Sequence, residues 1–254
     1  MGKKILQIDN LSINAKGKEI LTNASVSLSE GDIVILEGRN GTGKTTFIKS
    51  LIGLGKSYCK KTSGNVIWFE DSNTSKMSED ELIKLRSKIG YLDQRDNFEL
   101  LRGVTVKDYM IDSLEAYLER NLKKDEEGII DETFNKYCPK ELNISLKTKL
   151  NRLSGGQQRL ISIITSLCLR KDSRAFIIDE PLNNLDISMI VYISNLLNTI
   201  RIENPKSLFI VISHCKIFPF INKVLKMENK SLILSEEKIV CHSCFGEYNN
   251  EGFY

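Results

Sequence analysis

The sequence is poor in the features that mark fibrous, disordered and membrane-spanning proteins. Of its 254 residues only 4 are proline and 1 is tryptophan, and no proline-rich linker occurs. No apolar run reaches the roughly 18–20 residues that a membrane-spanning helix needs. The first residues soon turn polar, so we expect no secretory signal peptide. We therefore expect neither a collagen-like or disordered chain nor a membrane-spanning one.

A charge excess of one sign is also lacking. The 36 Lys and Arg residues nearly balance the 33 Asp and Glu residues, which leaves a formal net charge of +3. Nucleic-acid-binding proteins usually carry a larger basic excess, so we expect no direct nucleic-acid partner. Hydrophobic residues make up 41% of the chain and charged residues 27%, and the length fits one large α/β domain.

The cysteines are few and scattered. Their positions are Cys59, Cys138, Cys168, Cys215, Cys241 and Cys244. A chain of this size can build a core without disulfides, so we expect free thiols. Cys241 and Cys244 form one CxxC pair, which supplies only two of the four ligands of a structural zinc site. A metal or redox role for that pair is the minor alternative.

Short apolar runs alternate with amphipathic stretches. The runs lie at residues 33–36, 175–178 and 208–212. They are too short for helices and apolar throughout, which predicts strands of a parallel sheet that is covered on both faces. Helical periodicity follows at residues 45–54, 160–169 and 188–202. Alternating patterns, which predict an antiparallel sheet outside the main layer, lie at residues 5–8, 25–28 and 64–69.

The strongest local signal follows the first apolar run. It consists of Gly38, Arg39, Asn40, Gly41, Thr42, Gly43, Lys44, Thr45 and Thr46. This segment fits G-x-x-x-x-G-K-[ST] and stands between a predicted strand and a predicted helix, as a phosphate-binding loop does. Its glycines let backbone N–H groups and the helix N-terminus face an anion. We predict that Lys44 reaches the β- and γ-phosphates and that Thr45 gives its hydroxyl to Mg²⁺.

Two carboxylates, Asp179 and Glu180, follow the apolar run at residues 175–178. At the carboxyl end of a parallel strand they lie in the crevice where ligands bind. We predict that Asp179 serves Mg²⁺ through water and that Glu180 is the general base that polarises an attacking water.

A second glycine-rich segment, residues 153–159, reads LSGGQQR and opens a predicted helix. Its hydroxyl, its backbone N–H groups and the helix start form a second anion site, made by Ser154, Gly155, Gly156 and Gln157. The LSGGQ motif resembles the signature of ATP-binding-cassette (ABC) ATPases, and the FIIDEP segment stands just downstream of it. The resemblance covers residues 3 to about 235.

This resemblance implies a fold as well as an activity. The fold is α/β: a P-loop NTPase (RecA-like) core with an N-terminal antiparallel β subdomain and an inserted α-helical subdomain. The single domain, 1–254, divides into three parts. These are the nucleotide-binding core with the β subdomain (about 3–94 and 171–235), the helical subdomain (about 95–170) and a C-terminal extension (about 236–254).

The family pattern also implies ligands and residue roles. The ligands are ATP and Mg²⁺. Gln94 resembles the Q-loop glutamine that contacts Mg²⁺ or the attacking water, and His214 resembles the switch histidine at the γ-phosphate. Asp186 matches the D-loop acid that communicates between two domains. The implied catalytic set is Lys44, Gln94, Glu180 and His214, and the implied metal set is Thr45, Gln94 and Asp179.

Cassettes that resemble this one pair head to tail, so that residues 154–157 of one complete the ATP site of the other. Because this chain carries one copy of each motif, it needs a second copy or a paralogue. The resemblance implies a transporter subunit that docks on separate integral membrane permease subunits, with residues 96–106 as the candidate contact. We expect a bacterial, cytoplasmic protein held peripherally at the inner face of the cell membrane. The alternative is a soluble, non-transport ABC ATPase that acts on ribosomes, DNA or an assembly machine.

The sequence departs from the family pattern at three places. An aromatic residue usually stacks on adenine, but the aligned residue here is Ala15, followed by Lys16. We therefore expect weak base selectivity, with GTP as an alternative substrate. The D-loop carries Asn183 and Asn184 where small or hydroxyl residues are common. Residues 241–254 have no family counterpart, and neither cargo nor transport direction follows from the sequence.

Overall fold

The computed structural model describes residues 2–54, 59–94, 98–170, 172–213 and 221–236. The strands are β1 (Lys4–Ala15), β2 (Lys18–Ser29), β3 (Ile33–Glu37), β4 (Cys59–Trp68), β5 (Ser72–Asn73), β6 (Ile89–Leu92), β7 (Ala175–Asp179), β8 (Leu208–Ile212), β9 (Lys223–Glu228) and β10 (Ser231–Ser235). The helices are α1 (Lys44–Leu51), α2 (Glu79–Arg86), α3 (Val106–Leu118), α4 (Gly128–Tyr137), α5 (Gly155–Ile163) and α6 (Ile187–Glu203).

A mostly parallel sheet forms the centre of the molecule, with the strand order β10-β9-β3-β8-β7-β6. Strands β9, β3, β8, β7 and β6 run parallel, and β10 pairs antiparallel with β9. The three strands predicted from apolar runs are β3, β7 and β8, so that prediction is confirmed. Because these strands are parallel, the segments that follow β3, β6 and β7 all leave the sheet at the same edge.

Each central strand buries both of its faces, as its apolar sequence requires. In β3, Ile33 and Ile35 pack into the core on one side of the sheet, while Val34 and Leu36 pack into the core on the other. The first core also contains α5 and α6, and the second contains α1, α2 and the antiparallel sheet. Burial on both faces fixes the strand ends, and with them the residues of the site.

An antiparallel sheet with the order β2-β1-β4-β5 lies outside the parallel one. It confirms the alternating patterns at residues 5–8 and 25–28 and most of the pattern at 64–69. The Trp68 indole is fully buried and donates a 2.9 Å hydrogen bond from Nε1 to the Leu51 carbonyl, which joins this sheet to the end of α1. Helix α2 was not predicted, although Ser78 and Glu81 form its capping box.

Helices α3, α4 and α5 lie within residues 95–170. Helix α5 begins at Gly155, inside the glycine-rich segment that was predicted to open a helix, and continues as a π-helical turn at Ile164–Cys168. This wider turn contains apolar residues whose spacing had predicted an α-helix. Within the described residues, the chain has no helix that is both long enough and apolar enough to cross a membrane.

Candidate nucleotide-binding site

The loop between β3 and α1 holds two glycines that tolerate no side chain. Gly43 caps α1 with φ 99°, in the left-handed region, and a Cβ there would lie 3.0 Å from Cδ1 of Ile20. A Cβ on Gly38 would lie 2.7 Å from the carbonyl oxygen of Met227. The loop is therefore seated directly against β2 and β9.

The start of α1 has the electrostatics of an anion site. Its first N–H groups have no intrahelical partner, and Gly43 offers no side chain to cap them. The Lys44 side chain is 8% exposed, and its Nζ donates to the carbonyl of Gly38 at 2.7 Å and to that of Arg39 at 3.3 Å. One positive charge is thus held against the loop backbone. The predicted loop residues 38–46 form this one continuous turn and helix start.

Asp179 ends β7 as a buried carboxylate. It is 0% exposed, and neither side-chain oxygen has a hydrogen-bond partner among the described residues. Burial raises its pKa from 3.8 to about 6. The Thr45 side chain opposes the rise, although that contact falls short of hydrogen-bond geometry. A buried carboxylate that receives no hydrogen bond from the described part of the chain, next to a hydroxyl, fits a hard cation such as Mg²⁺.

Glu180 stands directly after β7 in a strained backbone conformation. Its φ is 45°, which costs a non-glycine residue roughly 1–3 kcal/mol. Its N–H donates to the Ile212 carbonyl at 2.8 Å, and its Oε2 accepts hydrogen bonds from Gln94 Nε2 at 2.7 Å and from the Asn183 amide. The predicted base and the predicted Q-loop glutamine are therefore in direct contact.

The Q-loop segment is tied to the phosphate-loop helix. Asp93 accepts the backbone N–H of Gln94 on Oδ1 at 2.8 Å, and its Oδ2 forms a 2.7 Å ion pair with Lys49 of α1. Sequence reasoning missed this link. The only signal for it was an acidic residue beside Gln94.

Sequence reasoning also missed Arg159, the last residue of LSGGQQR. Its side chain is 6% exposed and donates to carbonyl groups next to both Gln94 and Glu180. Charged residues of a helix usually face solvent, so the sequence pattern alone gave no reason to predict that Arg159 is buried.

The signature segment lies at the surface and begins α5. The Ser154 hydroxyl accepts the Gln157 N–H at 3.3 Å, and the Gln157 side chain accepts the Ser154 N–H at 3.0 Å, which forms a capping box. A Cβ on Gly155 would meet no atom of the described residues within 4 Å, whereas one on Gly156 would lie 3.1 Å from Cγ of Met189. The exposed glycine face of this helix start is open to another molecule.

The remaining predicted residues have separate surroundings. Asp186 caps α6 through Met189 N–H at 2.9 Å and accepts the Ser188 hydroxyl at 2.6 Å, and these bonds lower its pKa. Ala15 ends β1, beside the turn that carries Lys16 at φ 52°. The predicted switch residue His214 lies outside the described residues, as do residues 95–97 and 237–254.

Two cysteine side chains lie in the core of the described part of the chain. Cys138 and Cys168 are both buried, and neither forms a disulfide, as expected. Cys215, Cys241 and Cys244 lie outside the described residues. Within the described part of the chain, no group of three or more His, Cys, Asp or Glu side chains is placed to hold a metal ion among themselves.

Comparisons with known proteins identify the family of this chain. The family model described as ABC transporter matches residues 21–183, which is more than half of the chain. The zinc import ATP-binding protein ZnuC of Rickettsia bellii (strain RML369-C) is 30% identical over 214 residues, covering 84% of this chain and 78% of the relative. ZnuC of Wolbachia pipientis wMel is 28% identical over 200 residues, covering 79% and 70%.

Solved structures share the fold. CbiO1 from Clostridium perfringens, part of the ABC transporter complex CbiONQ, superposes with a TM-score of 0.70 at 25% identity, over 92% of this chain and 88% of that one. A dimeric post-hydrolysis state of the ATP-binding cassette MJ0796 with ADP and Pi gives 0.71 at 22% identity, over 91% and 98%. Motifs, fold and relatives together show that this chain belongs to the ABC transporter family, as one of its ATP-hydrolysing, nucleotide-binding subunits.

Proposed function

We propose that the chain works as one half of a head-to-tail pair that uses ATP to drive a separate membrane permease. The observation that carries this proposal is that the chain has two half-sites. One is the convergence of the phosphate loop, Gln94, Asp179 and Glu180 at a single sheet edge. The other is the exposed signature at the start of α5. Relatives named as import ATP-binding proteins support a transport role and favour import.

The hydrolytic half-site divides its work among a few side chains. Lys44 and the N–H groups of α1 neutralise the phosphates, as residues 38–46 predict. Glu180 accepts the proton of the attacking water, and Gln94, which already contacts that carboxylate, orients the same water. His214 keeps its assignment as the γ-phosphate contact. Catalysis is then positioning plus charge stabilisation, with no covalent intermediate on the protein.

Mg²⁺ is part of the proposal, with Asp179, Thr45 and Gln94 as the residues that hold it. The Asp179 carboxylate is buried and receives no hydrogen bond from the residues that the structure describes, which supports this assignment. When bound, the ion neutralises phosphate charge as the terminal bond breaks. A bound cation would also stabilise the charged form of the Asp179 carboxylate, which burial disfavours.

The second half-site serves a partner. In the proposed pair, residues 154–157 of one subunit face the nucleotide that the other subunit holds, and the open face of Gly155 lets phosphate oxygens approach the helix start. ATP then bridges the two subunits, and its hydrolysis weakens the closed state. Asp186, beside the exposed Ile187, is the proposed D-loop contact between them.

A mixing experiment tests the pair. Lys44→Ala disables the phosphate loop, and Ser154→Arg blocks the signature, so each variant alone should be inactive. Random mixing makes half of the pairs heterodimers, each with one intact site. We therefore expect ATPase activity well above background in the mixture, up to the value of about a quarter of wild type that two independent sites would give. Activity that stays at background would contradict head-to-tail sharing.

Docking on a permease is the third part of the proposal. Leu100, in the segment after the Q-loop, is 81% exposed, while Leu101 and Val104 pack against the core beneath it. The packed residues below Leu100 support its exposed apolar side chain. Such a side chain suits contact with a membrane subunit at the cytoplasmic face. Affinity capture from detergent-solubilised membranes should recover a multi-span partner with wild type but not with Leu100→Asp. Recovery of ribosomal or DNA-associated proteins instead would favour the non-transport alternative.

A further inference from the structure

Arg159 is a buried guanidinium without a role in the scheme above. It lies in the second turn of α5, and four of its hydrogen bonds go to main-chain carbonyl oxygens. Nη1 donates to Asp93 at 2.7 Å, Nη2 donates to Asp179 at 2.9 Å and to Glu180 at 3.2 Å, and Nε donates to Pro181 at 3.2 Å. One side chain thus joins α5, the segment after β6 and the segment after β7.

The bonded carbonyls are adjacent to the two groups proposed to act on the attacking water. Asp93 directly precedes Gln94, and the carbonyl of Glu180 is itself a partner. A guanidinium is planar and presents its N–H donors in a fixed arrangement, so it sets the spacing of the carbonyls that it binds. The separation of Gln94 from Glu180 is therefore set from the backbone side by Arg159.

The strained backbone of Glu180 gives this contact a specific task. At φ 45° the residue stays in place only if its surroundings hold it there. The Ile212 carbonyl binds its N–H, and Arg159 binds its carbonyl, so both ends of the residue are held. Without the guanidinium, relaxation of φ would turn the Glu180 carboxylate away from Gln94.

We propose that Arg159 is a positioning residue for ATP hydrolysis, which sets the Glu180 carboxylate and the Gln94 amide on the attacking water. This inference rests on the proposed roles of Glu180 and Gln94. It assigns Arg159 no contact with the nucleotide. Loss of the guanidinium should therefore lower kcat and leave nucleotide affinity almost unchanged.

The experiment compares Arg159→Gln and Arg159→Lys with a matched control, Arg170→Gln. Arg170 is another poorly exposed guanidinium, which donates to the Ile89 carbonyl at 3.1 Å and stacks over the Tyr117 ring, away from the nucleotide residues. For each full-length variant we would measure Tm, the Kd of a fluorescent ATP analogue, and kcat and KM, all well below the lowest Tm.

Both Arg159 variants should lose kcat roughly 10- to 100-fold, because a displacement of about 1 Å at reacting groups has effects of that size. Lysine should fail to rescue, since its single ammonium cannot span the separate carbonyls. The Kd should stay within about 3-fold of wild type, and Arg170→Gln should keep kcat while losing a similar amount of Tm.

Three results overturn the inference: a kcat near wild type in Arg159→Gln, an equal kcat loss in Arg170→Gln, or a loss confined to Kd. If Arg159→Gln does not fold, the lysine variant decides in the same way. A wild-type chain that does not hydrolyse ATP would contradict the proposed function instead, so the two failures are distinguishable.

Discussion

The Gln94 amide donates from Nε2 to Oε2 of Glu180 at 2.7 Å, across the gap between the segments that follow β6 and β7. The two residues are 86 positions apart in sequence, and adjacent parallel strands bring them together. Binding at Oε2 leaves Glu180 with one orientation of its carboxylate. If Glu180 is the general base, as proposed, a carboxylate that is already oriented needs little reorganisation when a water molecule arrives.

Replacing Glu180 by Gln should separate ATP binding from hydrolysis. The amide keeps the shape of the side chain but cannot accept a proton, so we expect kcat to fall about 100-fold or more while ATP affinity changes little. Phosphate release and the molar mass in the presence of ATP measure the two effects, and the mass should rise to that of a dimer. The exposed Glu132 of α4 supplies the control, Glu132→Gln. Normal hydrolysis in Glu180→Gln would show that Glu180 is not the base.

The buried Asp179 carboxylate should make nucleotide-free stability depend on pH. Its pKa is about 6 when folded and 3.8 ordinarily, so the folded state binds the proton more tightly. The stability that this provides is present at low pH and is lost as pH rises through 6, by roughly 3 kcal/mol in total. The Tm of wild type should therefore fall between about pH 4 and pH 7 relative to that of Asp179→Asn.

Adding Mg²⁺ with ATP at pH 7.5 should raise the Tm of wild type above that of Asp179→Asn, because only wild type keeps the carboxylate that a cation stabilises. The exposed Asp112 of α3 provides the control variant Asp112→Asn, whose Tm should follow wild type at every pH. Parallel Tm curves for wild type and Asp179→Asn would contradict the prediction.

Restoring an aromatic residue at Ala15 should increase affinity for purine nucleotides. Stacking of a base on an aromatic ring contributes about 1–3 kcal/mol, so Ala15→Tyr should tighten ATP binding roughly 10-fold. Competition between ATP and GTP for a fluorescent nucleotide measures both affinity and selectivity. Wild type should discriminate weakly between them. Strong ATP preference in wild type would mean that other residues read the base.

The ion pair between Lys49 and Asp93 should matter for rate more than for stability. It is partly exposed, so Lys49→Met should cost at most about 1 kcal/mol of unfolding free energy. Its removal frees Asp93, which holds the backbone of Gln94, and kcat should fall several-fold (about 3- to 10-fold). Lys107 of α3 forms a comparably exposed ion pair with Glu127, and its removal by Lys107→Met should leave kcat unchanged. Equal effects of the two variants on kcat would remove the reason to link this pair to the Q-loop.

The sequence allowed accurate prediction wherever local chemistry decides the structure. Apolar runs without polar interruption became β3, β7 and β8, and the glycine pattern at residues 38–46 became the turn and helix start between β3 and α1. Parallel pairing then accounts for the meeting of Asp179 and Glu180 with the loop at one edge of the sheet.

Other features depend on tertiary contacts that no local pattern contains. Arg159 is buried because carbonyls from distant segments converge on it. The positive φ of Glu180 is likewise stabilised by neighbours from β8 and α5 rather than by its own sequence. The apolar residues of the π-helical turn at Ile164–Cys168 would have formed an apolar stripe equally well in an α-helix. Their spacing alone therefore could not predict the wider turn.

Ser154 and Arg159 belong to the same short helix and are five residues apart, or about 7.5 Å along its axis. One end of that helix faces the partner's nucleotide in the proposed pair, while Arg159 binds the carbonyl of the chain's own Glu180. A helix this short moves as a rigid body. Any rotation that seats one nucleotide should therefore shift Glu180, the proposed general base, of the opposite site, and turnover at the two sites should be correlated in time rather than independent.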